Sequence, residues 1–421
     1  MTFRVIADLP LAGEAYAEGW QTWSEVATYR PGQTSPRASD DRMQTVMFRP
    51  GKPTPDGVIQ AEGLLAVASP DGPARAWFAP EPAIEVATLR LRKVLDRWEL
   101  SAQGAVEEVT GSGLVGALEA AGDRLRIASV RSVPAGWSSW SCYFKDVTEA
   151  DVLENVEAAR RLDLPIEIVQ LDDGYESDIG DWLDVRPEFG SLERLAGRIR
   201  DAGMQPGIWI PPFMVGPNSA LARKHPDWLV PHASAGRHWG QEMRILDISQ
   251  PAAADYIGGV FRKWVRWGYG LFKLDFLYAA AIPGLDRYRR GMELIRDAVG
   301  PQAILLIGGA PLLPSIGLCD VMRIGPDVLP EEPEPQLDLE KTIRITTLRS
   351  WMNGRLWLND PDTIVSRPEI NEREAWAAHL MGYGGLRFSS DRLAALDARG
   401  LELTRRFLAG RAAHDEVDRQ D

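Results

Sequence analysis

Gly270-Leu271-Phe272-Lys273-Leu274-Asp275-Phe276 is an apolar stretch that carries two opposite charges two residues apart. It reads as a buried parallel strand that runs out through its charged end. Side chains on a strand alternate between faces, so Lys273 and Asp275 point one way and Leu274 the other. An ammonium and a carboxylate on the inner face of a buried sheet cost desolvation energy and rarely add net stability. Chains keep such a pair where chemistry needs it. Cys319-Asp320-Val321-Met322, followed by Arg323-Ile324-Gly325-Pro326-Asp327, repeats the pattern of an apolar run ending at a carboxylate.

Working outward, strand-like and helix-like segments alternate. Ile166-Glu-Ile-Val-Gln-Leu171 ends in Asp172-Asp173-Gly174, and Gly207-Ile-Trp-Ile210 ends in Pro211-Pro212. Ala303-Ile-Leu-Leu-Ile307 leads to Gly308-Gly309, Leu356-Trp-Leu358 to Asn359-Asp360, and Leu386-Arg-Phe388 to Ser389-Ser390-Asp391. With residues 137–140 as the first, these make eight strands. Helices are expected from Thr148, where Glu149, Asp151 and Glu154 suit an N-terminus. Others are expected over 192–202 and 253–267, stopped by Gly203 and Gly268, and over 285–299, 338–353, 369–382 and 392–410. Eight strand–helix units predict an α/β chain with a (β/α)8 TIM barrel. A doubly wound open sheet is the alternative, but no G-x-G-x-x-G turn follows the first strand.

Residues 1–130 have a different grain. Gln44-Thr-Val-Met-Phe-Arg49, Gly63-Leu-Leu-Ala-Val-Ala68, Arg75-Ala-Trp-Phe78, Ile84-Glu-Val-Ala-Thr-Leu-Arg90 and Arg124-Leu-Arg-Ile-Ala-Ser-Val130 are short β-rich pieces broken by Pro and Gly. They predict an N-terminal antiparallel β-sandwich domain over 1–130, preceding a barrel over 131–421.

The 421 residues are 45% hydrophobic and 25% charged, as in an ordinary globular protein. A net charge of -13 argues against nucleic acid or an anionic membrane as partner. Two cysteines and five histidines form neither a disulfide framework nor a zinc-type spacing. Asp8 interrupts the only apolar stretch near the start, and no apolar run approaches the roughly 20 residues of a membrane span. A cytoplasmic protein without metal or cofactor is the expectation. The 15 tryptophans, among them Trp20, Trp23, Trp137, Trp140, Trp182 and Trp209, suit either a core or the apolar face of a sugar ring.

Carboxylates and other polar residues gather at the C-terminal strand ends, the rim where barrel enzymes hold their active sites. Two acids on strands four and six suit glycoside hydrolysis: one attacks the anomeric carbon, the other protonates the departing oxygen and then deprotonates water. Lys273 would keep Asp275 ionised, whereas Asp327 would need a raised pKa. Read as structure alone, Lys273 and Asp275 form a buried ion pair, and Asp327 and Asp172-Asp173-Gly174 are turn residues. Metal binding is the rival for clustered acids, and Lys273 among them disfavours it.

At these residues the chain resembles the α-galactosidases of glycoside hydrolase family 36, in the clan (clan D) shared with family 27. The motifs run from about Gly136 to Asp391: Gly136-Trp-Ser-Ser-Trp140, Leu171-Asp-Asp-Gly-Tyr175, Ile179-Gly-Asp-Trp182, Gly207-Ile-Trp209, His225-Pro-Asp-Trp228, Phe272-Lys-Leu-Asp-Phe276, Met322-Arg-Ile-Gly-Pro-Asp327 and Trp357-Leu-Asn-Asp-Pro-Asp362. Gly19-Trp-Gln-Thr-Trp-Ser24 is the clearest point of the weaker N-terminal likeness.

The resemblance implies a retaining exo-acting α-galactosidase with Asp275 as nucleophile and Asp327 as acid/base. It implies Asp172 and Asp173 on the 4- and 6-hydroxyls, Lys273 and Arg323 near the reacting carbon, Trp209 lining the pocket, and Trp20 or Trp23 reaching in from the first domain. A small soluble carbohydrate would be its partner; the oligomeric state stays open. The chain departs from the family at three places. Gly308 stands where relatives carry Cys near the sugar's 2-position, leaving room there. Ser389-Ser390-Asp391 has one acid fewer than usual. No C-terminal β-domain is expected after the last helix. An α-N-acetylgalactosaminidase or α-galactosyl transferase of the same mechanism, and a catalytically silent sugar-binding relative, are the alternatives.

Overall fold

The computed structural model describes residues 2–11, 13–69, 72–329 and 338–410. Its centre is one sheet of eight parallel strands: Gly136–Ser138, Ile168–Leu171, Gln205–Ile210, Leu271–Leu274, Ile304–Ile307, Val321–Arg323, Leu358–Asp360 and Phe388–Ser389. The first seven lie side by side in chain order, and the eighth pairs with the first, Gly136 opposite Phe388. Backbone bonds also run between the seventh and eighth strand regions: Leu386 N–H donates to Asn359 O and Ile364 N–H to Phe388 O, each at 2.8 Å.

The two-residue alternation expected of the fourth strand is present throughout this sheet. Ile168, Leu271, Ile304, Leu306, Val321, Leu386 and Phe388 form one apolar cluster on the inner face. Their neighbours Val169, Leu171, Phe272, Leu274, Leu305, Ile307 and Met322 belong instead to the main core beneath the helices. Lys273 continues the row of Leu271 and Arg323 that of Val321, so both charges stand above the inner apolar layer.

The helices follow local signals. Thr148 and Asp151 form a reciprocal capping box on Glu149–Arg161. Helix Pro251–Trp267 begins with Pro and stops at Gly268, whose φ of 98° is left-handed.

The N-terminal region holds two antiparallel sheets of four and five strands. Leu65, Val67 and Trp77 of one face Leu89, Leu91, Trp98 and Leu100 of the other. The opposite face of the five-stranded sheet, through Leu64, Ala66, Ala76 and Phe78, joins the main core.

Two expected strands do not form. Residues 44–47 lie in a helix, Asp41–Met47, because the Asp40 side chain accepts the Met43 N–H and caps it. Arg124 and Leu125 close a helix over Gly113–Leu125, whose Ala117, Leu118 and Ala121 pack on the sheet's inner side. Ile127 and Val130, the β-branched residues of that expected strand, lie beyond the helix in irregular chain.

Residues Trp20–Thr22 dock on the loop after the fifth parallel strand. Leu312 N–H donates to Trp20 O at 2.9 Å, and Gln21 bridges Pro311. Beneath this seam Arg349, fully buried, donates to Glu18 Oε1 at 2.7 Å and also to the Thr22 and Ile324 carbonyls.

Candidate active site

A cavity of about 590 Å³ opens above the C-terminal strand ends. Asp172, Asp173, Trp209, Lys273, Asp275 and Asp327 line it, with Trp140, Trp239 and Phe276 among the other walls. The second, third, fourth and sixth strand ends thus meet at one space.

Asp275 is held by two donors: Trp209 Nε1–H reaches Oδ2 at 3.1 Å and the Phe276 N–H reaches Oδ1 at 2.9 Å. Burial raises its pKa, the Lys273 ammonium opposes that, and the charge of Asp327 adds to the rise. The expectation that Lys273 keeps the Asp275 pKa low is therefore corrected. Lys273 donates to Asp172 Oδ2 at 2.8 Å instead, so desolvation of Asp275 outweighs its help. Burial works against the Lys273 charge, but Asp172, Asp275 and Asp327 together raise its pKa.

Asp327 receives Arg323 Nη2–H on Oδ1 at 3.1 Å and Trp140 Nε1–H on Oδ2 at 3.0 Å. Its side chain is 44% exposed, and that surface is cavity wall. Desolvation raises its pKa, Arg323 opposes, and Asp362 adds to the rise. Arg323 is buried against three carboxylates, bonding Asp362 and Asp327 and lying 4.0 Å from Asp360. Its charge is shared among them, which leaves Asp327 only partly neutralised.

Asp172 Oδ2 also accepts Gln170 Nε2–H at 3.0 Å. Asp173 Oδ2 accepts Trp239 Nε1–H at 2.8 Å. Behind Asp173, burial first and the Asp173 carboxylate second push the Glu176 pKa well up, and the two side chains share a hydrogen bond.

Of the tryptophan pair, Trp23 reaches the cavity, packed edge-on against Phe276 at 5.0 Å. Trp20 does not: it lines a separate small cavity in the N-terminal region, with Arg49 over its ring at 5.0 Å. Gly308 lies directly against Asp275. A Cβ built there would lie 2.8 Å from Asp275 Oδ1, so the carboxylate itself fills that position. Asp391 is fully buried away from the cavity, bonded to Arg367 and Ser366.

Reasoning from the sequence missed Trp239, His238, Met47 and Lys145 on the cavity wall and did not assign Trp140 a role. Backbone strain marks some of this wall: Trp239 and Phe276 have φ of 48° and 51°, and Phe144, edge-on to Trp140, has 48°. Bulky residues in this region cost about 1–3 kcal/mol each and persist where surrounding structure holds them. Among the described residues no group of His, Cys, Asp and Glu is arranged to hold a metal ion, and no helix is long and apolar enough to cross a membrane.

Residues 129–268 match the Melibiase family model. The α-galactosidase AgaA of Geobacillus stearothermophilus is 36% identical over 135 residues, 30% of this chain and 18% of that relative. An α-galactosidase of Escherichia coli is 24% identical over 161 residues, 36% of this chain and 22% of that relative. The matched stretch thus spans about a fifth of these relatives' length. Among solved structures, the α-galactosidase TtGalA of Thermus thermophilus, in complex with p-nitrophenyl α-D-galactopyranoside, superposes with a TM-score of 0.81 at 28% identity. That match covers 97% of this chain and 89% of TtGalA. The structure of AgaA shares the fold at a TM-score of 0.69 and 18% identity, over 96% of this chain and 61% of that one.

Proposed function

We propose that the chain is a member of glycoside hydrolase family 36 and a retaining exo-α-galactosidase that acts on terminal α-D-galactosyl groups of small soluble glycosides, a reading supported by the Melibiase match and by the likeness to α-galactosidases. The observation that carries the reading is the meeting of Asp275 and Asp327 in one cavity, each held by an indole N–H and each with a raised pKa. Two like charges facing one space favour a state that holds a single proton. Asp327, with a surface open to the cavity, is the proton carrier. Asp275, fixed by Trp209 and the Phe276 N–H, is the nucleophile.

In this mechanism Asp275 attacks the anomeric carbon while protonated Asp327 gives its proton to the leaving oxygen. Asp327 then takes a proton from water, which displaces Asp275 and restores the original anomeric configuration. Asp172 and Asp173 accept from sugar hydroxyls, with Lys273 tying Asp172 in place. Arg323 positions Asp327, and Trp209 and Trp23 offer apolar surface to the ring. A 2-acetamido group finds little support, because Asp275 occupies the space beside Gly308. We also infer that the eight strands close as a barrel over 131–421, with 1–130 as a separate sandwich domain. The bonds from Leu386 and Ile364 across the seventh and eighth strands, with the eighth paired to the first, support closure.

Asp275→Asn should lower turnover of an aryl α-galactoside by on the order of 10³ or more, as loss of a nucleophile does, with the melting temperature near wild type. Proton NMR of the wild-type reaction should show α-galactose as the first product. β-Galactose first, or substantial turnover by Asp275→Asn, would refute the double displacement.

A further inference from the structure

Arg237–His238 and Gln241–Glu242 form a two-stranded hairpin, with Arg237 opposite Glu242 and His238 opposite Gln241. Only Trp239 and Gly240 connect the strands, with φ of 48° and 70°. Two successive left-handed residues make a type I′ turn, for which Asn-Gly or Gly-Gly is the comfortable choice. Here the first position carries the bulkiest side chain available, in a conformation that L-residues with large side chains rarely adopt.

The hairpin base is pinned. His238 Nε2 lies 2.9 Å from the Tyr278 hydroxyl, which donates to Ala235 O at 2.6 Å. Asn218 Nδ2–H donates to Gln241 Oε1 at 3.1 Å. With its base held, the strained tip projects the indole into the cavity. The ring lies edge-on to Trp209 at 6.2 Å and tilted on Phe276 at 5.0 Å, and its N–H meets Asp173 Oδ2 at 2.8 Å. A strained residue that the hairpin does not need, aimed at a carboxylate that the reaction needs, is strain kept for function.

We propose that Trp239 is a specificity-determining residue: its N–H orients Asp173, and its ring walls the cavity beside that carboxylate, so that the pocket selects sugars bearing the hydroxyl Asp173 accepts. This rests on the reading of Asp173 as a hydroxyl-binding group. One oxygen of Asp173 is committed to the indole and its side chain is braced by Glu176. The remaining acceptor capacity then has a fixed direction, and a carboxylate fixed in advance discriminates better than one free to turn.

The test crosses a side-chain deletion with a hydroxyl deletion. Wild type and Trp239→Phe, which keeps the ring and removes the N–H, are assayed on 4-nitrophenyl α-galactoside and on its 4-deoxy and 6-deoxy analogues. On the parent, kcat/KM should fall about tenfold, the scale of a hydrogen bond to a charged group, mainly through KM. On whichever analogue lacks the hydroxyl that Asp173 accepts, the fall should be less than about threefold, because Trp239 then has nothing to orient for. An equal fall on all three substrates, or none on the parent, overturns the proposal. Trp239→Asn supplies a second arm: Asn-Gly suits the turn, so the hairpin folds without strain, and it should show the same loss of selectivity. Wild type that leaves the parent galactoside intact would instead refute the α-galactosidase reading.

Discussion

Lys273 Nζ, on the fourth parallel strand, lies 2.8 Å from Asp172 Oδ2 at the end of the second, and both side chains are almost wholly buried, at 13% and 2% exposure. The ammonium therefore bridges across the intervening strand rather than serving its neighbour Asp275. Lys273→Met would leave Asp172 as an uncompensated buried charge, which typically costs about 3–5 kcal/mol. Urea unfolding should show that loss, and the double variant Lys273→Met with Asp172→Asn should recover much of it. Equal stabilities of the two variants would mean the bridge is not formed.

Trp140 donates to Asp327 Oδ2, and a donor to a carboxylate favours its ionised form. Removing it with Trp140→Phe should raise the Asp327 pKa. In the proposed mechanism Asp327 acts in its protonated form, so the alkaline limb of the kcat/KM–pH profile should move to higher pH while the acid limb stays. An unmoved alkaline limb would show that another group sets it.

Glu176 is buried with its pKa raised well above the usual carboxyl range. A raised folded-state pKa means the native protein holds a proton that the unfolded chain releases near pH 4.3. The associated stability is present below that pH and is lost as pH rises through the folded value, at about 1.4 kcal/mol per pH unit. Glu176→Gln removes the titration, so the variant should gain on wild type as pH rises from the ordinary glutamate value. Parallel stability curves would rule this out.

Gly308→Ala places a methyl carbon 2.8 Å from Asp275 Oδ1 unless the carboxylate moves. A shift of some tenths of an ångström at the proposed nucleophile should lower kcat about tenfold, with little change in melting temperature. No activity on an α-N-acetylgalactosaminide should accompany the native glycine. Unchanged kcat in Gly308→Ala would show that Asp275 has slack.

Much of the architecture was legible along the chain. Apolar runs ending at Asp172, Asp275 and Asp327 mark three strand ends because the alternation of a strand is local, and the caps at Thr148 and Gly268 are read from the same few residues. The N-terminal region was harder. Residues 44–47 have strand-like composition, yet Asp40 caps them into a helix, and a cap worth about 1 kcal/mol decides a segment of marginal propensity.

The sequence by itself determined that Asp172, Asp275 and Asp327 follow strand ends, because a two-residue period and an apolar inner layer leave a strand one way to lie; it did not separate them from Asp391, which is buried away from the cavity. Only the tertiary structure decided whom each one meets. Trp140 and Asp327 are separated by 187 residues and Trp239 and Asp173 by 66. Trp23 rather than Trp20 enters the cavity because the bonds of residues 20–22 to the loop after the fifth strand fix where each ring points. Partners of buried charges follow from adjacency in space, and the strand order that brings them together is a property of the folded chain as a whole.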